Sequence, residues 1–402
     1  MTVDEIRSEF PELSCKVYGK PLVYLDNAAT SQRPFAVIRK WDEMSGSLNA
    51  NLHRAVHRIA GLATDEYEST RQAVARFIGA ESPNEIVFTS GATASINLVA
   101  FSFGEAFVHD GDNVVVTIAD HHSNIVPWQM MCCRKGAQLR FVDVDDNGEL
   151  DLESLERQID GRTKIVAVPH ISNVLGIVNP VRKIAEICHE KGIPLLVDGA
   201  QGIVHEEVDV QEIGCDFYAF SGHKMYAAPG TGVLYGRKKW LDAMPPYMGG
   251  GEMIATVKMS GSTYAQAPHK FEAGTQNIAG TPTLKPAIEM VKSLKHNNLT
   301  NICNYICKAF DERGIRIYGT PKDRSLKAPV FSFTVPGVHH EDLALILDKM
   351  GIAVRSGQMC AEPLMDRFSV TGMVRASFAP YNTMQEAEYF VASLDRAIKM
   401  LK

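Results

Sequence analysis

The segment DFYAFSGHKMYAAPGTGVLYG, residues 216–236, places one lysine in a polar turn between two apolar runs that are predicted strands. Lys224 follows Ser221 and His223 in this turn. For a lone lysine, a surface loop is the ordinary interpretation. In a partly buried polar pocket, however, the pKa of a lysine falls, and its amine can attack a carbonyl to form a Schiff base. The rest of the chain has to decide between these two interpretations.

Outward from this segment, short apolar runs alternate with helical patterns, such as those at residues 95–103 and 181–191. Several runs are continuously apolar, which is typical of strands in a sheet covered on both faces. The alternation predicts a mostly parallel α/β sheet. The predicted strands are 85–89, 113–118, 138–144, 164–169, 194–198, 216–221 and 232–235.

After about residue 280 the pattern changes to that of a smaller α+β domain. A helical region, 284–313, comes first, and the closing helix carries a capping box formed by Thr383 and Glu386. Between them the sequence predicts strands at 330–335, 352–355 and 373–378 and a helix at 340–350.

Three regions follow from this change of pattern. We predict an N-terminal segment, 1–22, that packs with the small domain, a large domain, 23–282, and a small C-terminal domain, 283–402. The connection at 247–280 is polar and glycine-rich with little periodicity. A connection of that length is usually functional or disordered.

Composition limits the function classes. The 402 residues carry a formal charge of −6, which argues against nucleic-acid binding. The opening residues MTVDEIRSEFPELS are acidic and lack an apolar h-region, so we expect no secretory signal there. No apolar run approaches the roughly 18 residues of a membrane span. The eight cysteines form no C-x-x-C or zinc pattern. We therefore expect reduced thiols in a cytoplasmic protein, with every cysteine except Cys360 a candidate core residue.

A candidate phosphate site follows the first predicted strand of the sheet, in EIVFTSGATASINL. The small residues 90–93 form a turn before a helix, and free amides at a helix N-terminus with a neighbouring hydroxyl can bind phosphate. The turn lacks the glycine-lysine pattern of a nucleotide P-loop. A tight turn with Thr93 as the helix N-cap explains the same residues.

Asp198 ends an apolar strand in IPLLVDGAQG. Ligands of open α/β sheets bind at the carboxyl ends of strands. A carboxylate there can hold a cation or keep a ring nitrogen protonated. The alternative is that Asp198 caps the next helix, and both interpretations are open at this point.

Histidines occur at two further candidate sites. His121, in DHHSNIVPW, follows a predicted strand, and no carboxylate–histidine set accompanies the His121–His122 pair as a metal site would require. His53 and His57, in NLHRAVHR, have helical spacing and could face one ligand or a solvated helix surface.

Cys360 lies in VRSGQMCAEPLM, a segment bounded by glycine and proline. A reactive cysteine needs exposure and an electropositive neighbour, which Arg355 could supply. An inert buried thiol is the alternative.

Taken together, a phosphate site, an aspartate behind a ring nitrogen, a histidine near a ring face and a Schiff-base lysine are the requirements of pyridoxal phosphate. Their coincidence at strand ends is more specific than any one of them.

The spacing from VDGAQ to FSGHKMYAAPGTGVLYG resembles that of the class V aminotransferase-like pyridoxal phosphate enzymes. Further motifs make the chain similar to the SUF-type (group II) cysteine desulfurases, from about residue 3 to 402. These motifs are YLDNAAT, HHSNIVPWQ, HISNVLG, FEAGTQN, IAVRSGQMCAEPLM and VRASFAPYNT.

The resemblance implies a fold-type I homodimer with a mostly parallel seven-stranded sheet. It also implies conversion of L-cysteine to L-alanine, with the sulfur held as a persulfide on Cys360 and passed on for iron–sulfur cluster assembly.

The resemblance assigns a role to each matching residue. Lys224 would hold the cofactor covalently and act as the base, with His121 stacked on the ring as a proton carrier. The cofactor site would further contain Asp198 at the ring nitrogen, Gln201 at the phenolic oxygen, and Ala92, Thr93, Ser221, His223 and the other subunit's Thr275 around the phosphate. The substrate site would contain Asn173, Arg375, Arg355 and His53. No metal is implied.

Two departures from the family pattern affect these expectations. Many members have two histidines before the cysteine, where this chain has Gln358 and Met359. The activation of the thiol is therefore open. Relatives that use a zinc-containing scaffold-like acceptor have a histidine where this chain has Glu341, beside His340. We therefore expect a zinc-free, SufE-type acceptor.

Three alternatives are carried forward. A selenocysteine lyase shares nearly all of these motifs. A transaminase of the same fold would consume a keto acid and would not need Cys360. A catalytically silent sulfur-assembly scaffold would not need the intact set of Lys224, Asp198 and Cys360.

Overall fold

The computed structural model describes residues 2–54, 56–294 and 299–402. The strands are β1 Lys16–Val17, β2 Lys20–Pro21, β3 Val23–Tyr24, β4 Ile86–Thr89, β5 Asn113–Thr117, β6 Gln138–Val142, β7 Thr163–Pro169, β8 Leu195–Asp198, β9 Phe217–Ser221, β10 Gly232–Gly236, β11 Ile254–Lys258, β12 Gly261–Tyr264, β13 Arg316–Tyr318, β14 Val330–Thr334, β15 Ile352–Ala353, β16 Arg355–Gly357 and β17 Met373–Ser377. The helices are α1 Val3–Ser8, α2 Phe35–Gly46, α3 Arg58–Phe77, α4 Ala92–Phe107, α5 Val126–Lys135, α6 Leu152–Gln158, α7 Val181–Glu190, α8 Gly202–His205, α9 Val210–Ile213, α10 Lys238–Ala243, α11 Leu284–Leu294, α12 Leu299–Asp311, α13 His340–Lys349, α14 Glu362–Arg367 and α15 Met384–Leu401.

A seven-stranded sheet has the order β4-β10-β9-β8-β7-β5-β6. The strands from β9 to β6 pair in parallel, and β10 pairs antiparallel with both β9 and β4. The predicted α/β fold with a mostly parallel sheet is therefore confirmed, and the predicted strands are present with ends that differ by a residue or two. The antiparallel strand β10 arises because only the short turn that contains Lys224 joins it to β9.

Helices cover both faces of this sheet, which explains the continuously apolar strands. In β8, Leu195 and Val197 pack in one layer with α7 and α3, whereas Leu196 packs in the opposite layer with α4 and α5. Full burial of one such side chain contributes about 1.5–3 kcal/mol. The two apolar layers hold the sheet between the helices. They therefore fix the positions of the strand ends, where the polar residues lie.

A second, antiparallel sheet has the order β13-β14-β17-β16 and packs with α12, α13 and α15 around its own apolar cluster. The predicted capping box of α15 is confirmed, since Thr383 Oγ1 accepts a hydrogen bond from the amide of Glu386 and the carboxylate of Glu386 accepts one from the amide of Thr383. The predicted helical region 284–313 contains α11 and α12, and its residues 295–298 lie outside the described residues.

The predicted single strand at 352–355 is wrong. β15 pairs in parallel with β3 near the N-terminus, whereas β16 pairs antiparallel with β17. The apolar run ends at Val354, before β16, and the two short strands find different partners, which a single sequence pattern cannot reveal.

The N-terminal segment contacts residues from both predicted domains. Arg7 donates to the carbonyl oxygen of Tyr381 at 2.7 Å and pairs with Glu386 at 2.9 Å, whereas Phe10 packs edge-on against Tyr226. The domain boundaries themselves stay a prediction.

Two other expectations need correction. The connection at 247–280 is not irregular throughout, because β11 and β12 form an exposed hairpin around the turn at Met259. Of the cysteines expected in the core, Cys15 and Cys133 are exposed, and Cys303 and Cys307 are only partly buried. The expectation failed because a thiol is small enough to lie at the surface of a helix, as for Cys133, or after a turn, as for Cys15, without disturbing either.

In the described part of the chain, no helix combines the length and the apolar character that crossing a bilayer requires.

Candidate active site

A cavity of about 270 Å³ opens at the carboxyl ends of the parallel strands. Residues from the large sheet and from β16, β17 and the Cys360 turn line it together. It brings together the predicted site residues Ala92, Thr93, His121, Asn173, Asp198, Ser221, His223, Lys224, Arg355, Cys360 and Arg375.

Lys224 ends a short 3₁₀ turn that directly follows β9. The turn is held from the N-terminal region, because the carbonyl oxygen of His223 accepts hydrogen bonds from the amide of Ser31 at 3.1 Å and from its hydroxyl at 3.0 Å. Burial lowers the pKa of Lys224, Arg375 lowers it further, and Asp198 opposes both. The backbone of the turn is therefore held in place, and the amine has an increased neutral fraction.

Asp198 is the last residue of β8 and is 5% exposed. Its carboxylate accepts a hydrogen bond from the amide of Ala200 at 2.9 Å. Burial raises the pKa of Asp198, and the neighbouring Lys224 opposes this. The helix-cap interpretation is wrong, because α8 begins at Gly202 with Gln201 at the N-cap position. A buried carboxylate with one amide donor favours a cationic group in the cavity.

The N-terminus of α4 supplies the anion-binding end of the cavity. The helix starts at Ala92, whose amide donates to Ser221 Oγ at 2.8 Å, and Thr93 Oγ1 lies 2.7 Å from Ser123 Oγ. Thr93 lies inside the helix and Gly91 is the N-cap residue, so the N-cap interpretation of Thr93 is wrong. Amides at the start of a 16-residue helix and three hydroxyls suit a phosphate.

His223 and His121 border the same cavity as neutral imidazoles. Burial lowers the pKa of His223 to about 4 with help from Lys224 and Arg33, and burial lowers the pKa of His121 to about 3 with help from Lys224, His122 and Arg375. His121 Nδ1 accepts from the amide of Ser123 at 3.1 Å. The neutral ring of His121 therefore carries its proton on Nε2.

Arg375, on β17, is 3% exposed and forms the cationic wall of the cavity. It donates to the carbonyl oxygen of Asn173 at 2.9 Å and to Asp26 at 3.3 Å. Asp26 also pairs with Arg355 at 2.9 Å. Arg375 Nε and Asn173 Oδ1 are buried without a partner. These two unsatisfied atoms are suited to a carboxylate and an amino group of a ligand.

Asp26 and Ser123 are functional candidates that the sequence analysis missed. Both lie inside motifs quoted for the family, YLDNAAT and HHSNIVPWQ. Their roles are to orient Arg375 and His121, and such pairings depend on long-range contacts that no local pattern encodes.

Cys360 is exposed and lies at the mouth of the cavity. Met359, before it, contributes its carbonyl oxygen to a hydrogen bond from Asn173 Nδ2 at 2.9 Å. The turn thus touches the residue that lies beside Arg375.

Three predicted site residues lie outside this cavity. The Gln201 side chain donates to the carbonyl oxygen of Ala28 at 2.7 Å, and Thr275 lines a separate cavity with Tyr67 and Phe88. His53 lies beside Glu68, with Nε2 and Oε1 3.0 Å apart.

The helical spacing assumed for the two histidines is wrong. His53 has a φ of 62°, and His57 is the N-cap residue of α3, so the two do not share a helix face. The sequence could not reveal this, because α3 begins only after His57.

His53, Glu68 and His269 have side-chain atoms within 4.8 Å of one another, the spacing of possible metal ligands. Arg71 already compensates the carboxylate of Glu68, with Nε 2.8 Å from Oε2. The carboxylate therefore does not require a metal ion for charge balance.

The arrangement around Lys224 fits pyridoxal phosphate. The amides and hydroxyls at α4 suit the phosphate, Asp198 suits a protonated ring nitrogen, and Lys224 suits the aldehyde carbon. The glycines match this close packing, since a Cβ on Gly222 would lie 2.1 Å from Thr231 Oγ1 and a Cβ on Gly91 would lie 3.3 Å from Ser221 Oγ.

Comparisons with known proteins agree with this geometry. The family model "Aminotransferase class-V" matches residues 23–390. A probable cysteine desulfurase of Halalkalibacterium halodurans is 46% identical over 98% of both chains, and a cysteine desulfurase of Cronobacter sakazakii is 44% identical over 100% of this chain and 99% of its own. The apo structure of a cysteine desulfurase from Thermococcus onnurineus superposes with a TM-score of 0.93 at 38% identity, covering 99% of this chain and 98% of that chain.

Proposed function

The chain belongs to the class-V aminotransferase family and is a pyridoxal phosphate-dependent cysteine desulfurase, and from this premise we propose that Cys360 takes the sulfur of L-cysteine and presents it to an acceptor protein. The observation that carries the proposal is the position of Cys360, an exposed thiol at the mouth of a cavity whose base contains Lys224. The comparisons do not favour the selenocysteine lyase and transaminase alternatives, and the scaffold alternative does not explain the intact site.

The bound cofactor supplies the electron sink that stabilises negative charge at the substrate Cα. We assign its phosphate to Ala92, Thr93, Ser221 and His223, its ring nitrogen to Asp198, and its phenolic oxygen to Gln201. Lys224 would hold it covalently, and His121 would lie against its ring.

Lys224 would be the base that removes the substrate Cα proton. Its lowered pKa supports this role, since a neutral amine is the form that accepts a proton. His121 carries its ring proton on Nε2 and is the candidate to return a proton to the product. Asp198 provides the negative charge that the ring nitrogen requires, from a buried position at the end of β8.

Arg375 and Asn173 orient the substrate. A carboxylate at Arg375 Nε and an amino group near Asn173 Oδ1 satisfy the two buried atoms that lack partners. We assign Arg355, whose charge Asp26 shares with Arg375, to the outer part of the same site. This orientation holds the Cα–H bond towards Lys224 and the substrate sulfur towards Cys360.

Sulfur transfer is a displacement at sulfur. The Cys360 thiolate forms an S–S bond with the substrate sulfur while the substrate Cβ–S bond breaks, and the electron pair of that bond stays with the carbon skeleton. Protonation of that carbon gives L-alanine. The overall balance is L-cysteine plus thiol to L-alanine plus persulfide, with no external oxidant.

The acceptor we propose is a zinc-free, SufE-type protein that serves iron–sulfur cluster assembly in the SUF system. His340, the histidine nearest to the family's zinc-exchanging position, is partly buried, with Nδ1 3.4 Å from Ser356 Oγ. Its ring is therefore engaged within this chain, whereas the neighbouring Glu341 is exposed and carries a carboxylate in place of an imidazole.

We also propose a homodimer in the cytoplasm. Thr275 and His53 lie outside the cavity of their own chain, which supports a site completed by a second subunit. The eight cysteines, all within the described residues, are free, which supports a reducing compartment.

One assay tests the function directly. The purified enzyme is incubated with L-cysteine and a reductant, and alanine and sulfide are measured together. We expect equal amounts of the two products without any keto acid. Alanine that forms only with an added keto acid, and without sulfide, would contradict the proposal.

A further inference from the structure

The Cys360 turn has a backbone conformation that its residues disfavour. Met359 and Cys360 have φ values of 51° and 55°, and the amide of Ala361 donates to the carbonyl oxygen of Gln358 at 3.0 Å. Positive φ at both central residues is the feature of a type I′ turn, which asparagine and glycine normally occupy. A Met-Cys pair in this conformation persists only when neighbouring groups hold it.

Two hydrogen bonds from the large sheet's loops hold the backbone of this turn. The amide of His122 donates to the carbonyl oxygen of Cys360 at 2.8 Å, and Asn173 Nδ2 donates to the carbonyl oxygen of Met359 at 2.9 Å. Both strained residues are therefore tied to loops at the carboxyl end of the sheet. Asn173 belongs to the proposed substrate site, but His122 does not line the cavity.

The His122 side chain adds a third connection. Its Nε2 lies 2.5 Å from the carboxylate of Glu362, the first residue of α14 and the second residue after Cys360. The backbone and side chain of one residue thus hold the chain at Cys360 and at Glu362, whereas Asn173 holds it at Met359. About a third of the His122 side chain and half of that of Glu362 are exposed, so the pair contributes little to the stability of the fold.

We propose that His122 and Glu362 form a clasp that positions the Cys360 thiol for attack on the substrate sulfur. The proposal rests on the proposed function, because it assigns a positioning role around the same sulfur acceptor. When the clasp is absent, the turn relaxes towards ordinary backbone angles and the thiol leaves the line of attack. Lys224, Asp198 and Arg375 keep their places, since none of their contacts involves the clasp.

The two positions before the cysteine are Gln358 and Met359, so the imidazole of the clasp comes from the loop that also carries His121. The position of the thiol therefore depends on the loop that borders the proposed ring site.

The test compares two substrates in Glu362→Ala and His122→Ala enzymes. A C–Se bond is weaker than a C–S bond and can break without thiolate attack, so L-selenocysteine reports the cofactor chemistry alone. We expect kcat for L-cysteine to fall about ten-fold, because the thiol is modestly misplaced. KM should stay within about two-fold of the wild-type value, and the rate with selenocysteine should be unchanged. Glu362→Gln, whose amide oxygen still accepts from Nε2, should restore most of the cysteine rate.

Two further measurements separate positioning from general damage. The double variant should be no slower than either single variant, because both remove the same interaction. Hydrogen exchange of the amides in residues 358–364 should become about ten-fold faster in each single variant without cofactor or substrate. His189→Ala is the matched control, since it removes an imidazole from another carboxylate pair, 2.8 Å from Asp216, and should change none of these values.

An equal loss with both substrates, or unchanged cysteine turnover and exchange, would overturn the clasp. Failure of the proposed function has a different signature, because Cys360→Ser would then turn over cysteine at the wild-type rate whatever happens at Glu362.

Discussion

Two turns meet in the active-site cavity, and they are held in opposite ways. The Lys224 turn follows a buried strand, and the carbonyl oxygen of His223 within it accepts hydrogen bonds from both the amide and the hydroxyl of Ser31. The Cys360 turn is exposed, has left-handed backbone angles at two non-glycine residues, and depends on contacts from other loops.

The difference reflects what each turn has to do. Proton transfer at Cα needs an amine whose position and pKa are fixed, and a buried strand end provides both. A sulfur carrier has to reach the substrate and then an external acceptor, which requires an exposed thiol. The fixed turn and the exposed turn should therefore respond differently to substitution.

Lys224→Ala should have the largest effect, because the covalent attachment of the cofactor and the Cα base are lost together. We expect no measurable turnover with cysteine or selenocysteine. Borohydride reduction followed by mass spectrometry should find no cofactor-modified lysine. A modified lysine elsewhere in this variant would mean that Lys224 is not the attachment site.

Cys360→Ser should abolish sulfur transfer at the exposed turn and leave the chemistry at the Lys224 turn intact. A serine hydroxyl is not ionised near neutral pH and is a poor nucleophile towards sulfur, so cysteine turnover should fall at least about 100-fold. Cysteine should still change the visible spectrum of the cofactor, and selenocysteine should be processed much better than cysteine.

In the wild type, peptide mass spectrometry after cysteine treatment should locate the added sulfur on Cys360. The buried Cys132 and Cys215 serve as internal controls, because burial raises the pKa of the Cys132 thiol to about 11 and raises that of Cys215 further. Sulfur on either of them would refute the assignment.

Asp198→Asn should weaken, without abolishing, the cofactor chemistry around the Lys224 turn. The amide has nearly the same shape but no charge, so the cofactor should bind while its ring nitrogen loses the proton. We expect turnover of both substrates to fall by about 100-fold, the size of other losses of preorganised charge. Asp160→Asn, at an exposed surface carboxylate, is the control. A loss confined to cysteine would be inconsistent with a role in the electron sink.

Arg375→Lys should sharpen the role of the wall between the two turns. Lysine keeps the charge but cannot offer Nε and two further donors in one plane. Loss of one charge-assisted hydrogen bond, about 1.5–3 kcal/mol, predicts a rise in KM of about 10- to 100-fold. Steady-state kinetics measure this, and an unchanged KM would place the substrate carboxylate elsewhere.

His170→Gln should have the smallest effect. It should change the pH dependence of the free energy of unfolding rather than turnover. Burial lowers the pKa of His170 to about 4, and its amide donates to the carbonyl oxygen of Asp198. Between pH 6.5 and 4 the unfolded chain binds a proton that the folded chain does not, so stability falls as pH falls. The variant should lose up to about 1.4 kcal/mol per pH unit of this dependence.

Urea unfolding of the cofactor-free protein at pH 7, 6 and 5 measures that slope. Other buried histidines, such as His205, leave a residual slope in the variant. Identical slopes in variant and wild type would show that His170 is protonated in the folded state.

The sequence was most informative where structure is local or periodic. Continuous apolar runs such as 114–116 predicted the sheet, and the strand ends then predicted the group around Lys224 and Asp198. The capping box at Thr383 was readable because its partners lie three residues apart.

It was least informative where partners are distant. Nothing in the local sequence marks Asp26 as the carboxylate that Arg355 and Arg375 share. Nor does the sequence show that the strand of Ile352 pairs with β3 while the strand of Arg355 pairs with β17. The left-handed angles at Cys360 were also unpredictable, because Met and Cys have no preference for a type I′ turn.

The hydrogen bond from Asn173 Nδ2 to the carbonyl oxygen of Met359 has a thermodynamic consequence. Because Asn173 also belongs to the proposed substrate site, the occupancy of that site and the conformation of the thiol turn become linked quantities. Suppose that substrate binds better when the turn is held in its left-handed conformation, and that an acceptor protein binds better when the turn is released. The acceptor then weakens substrate binding, and the substrate weakens acceptor binding by the same factor. The acceptor and the amino acid would then be reciprocal effectors of one another, although they never touch.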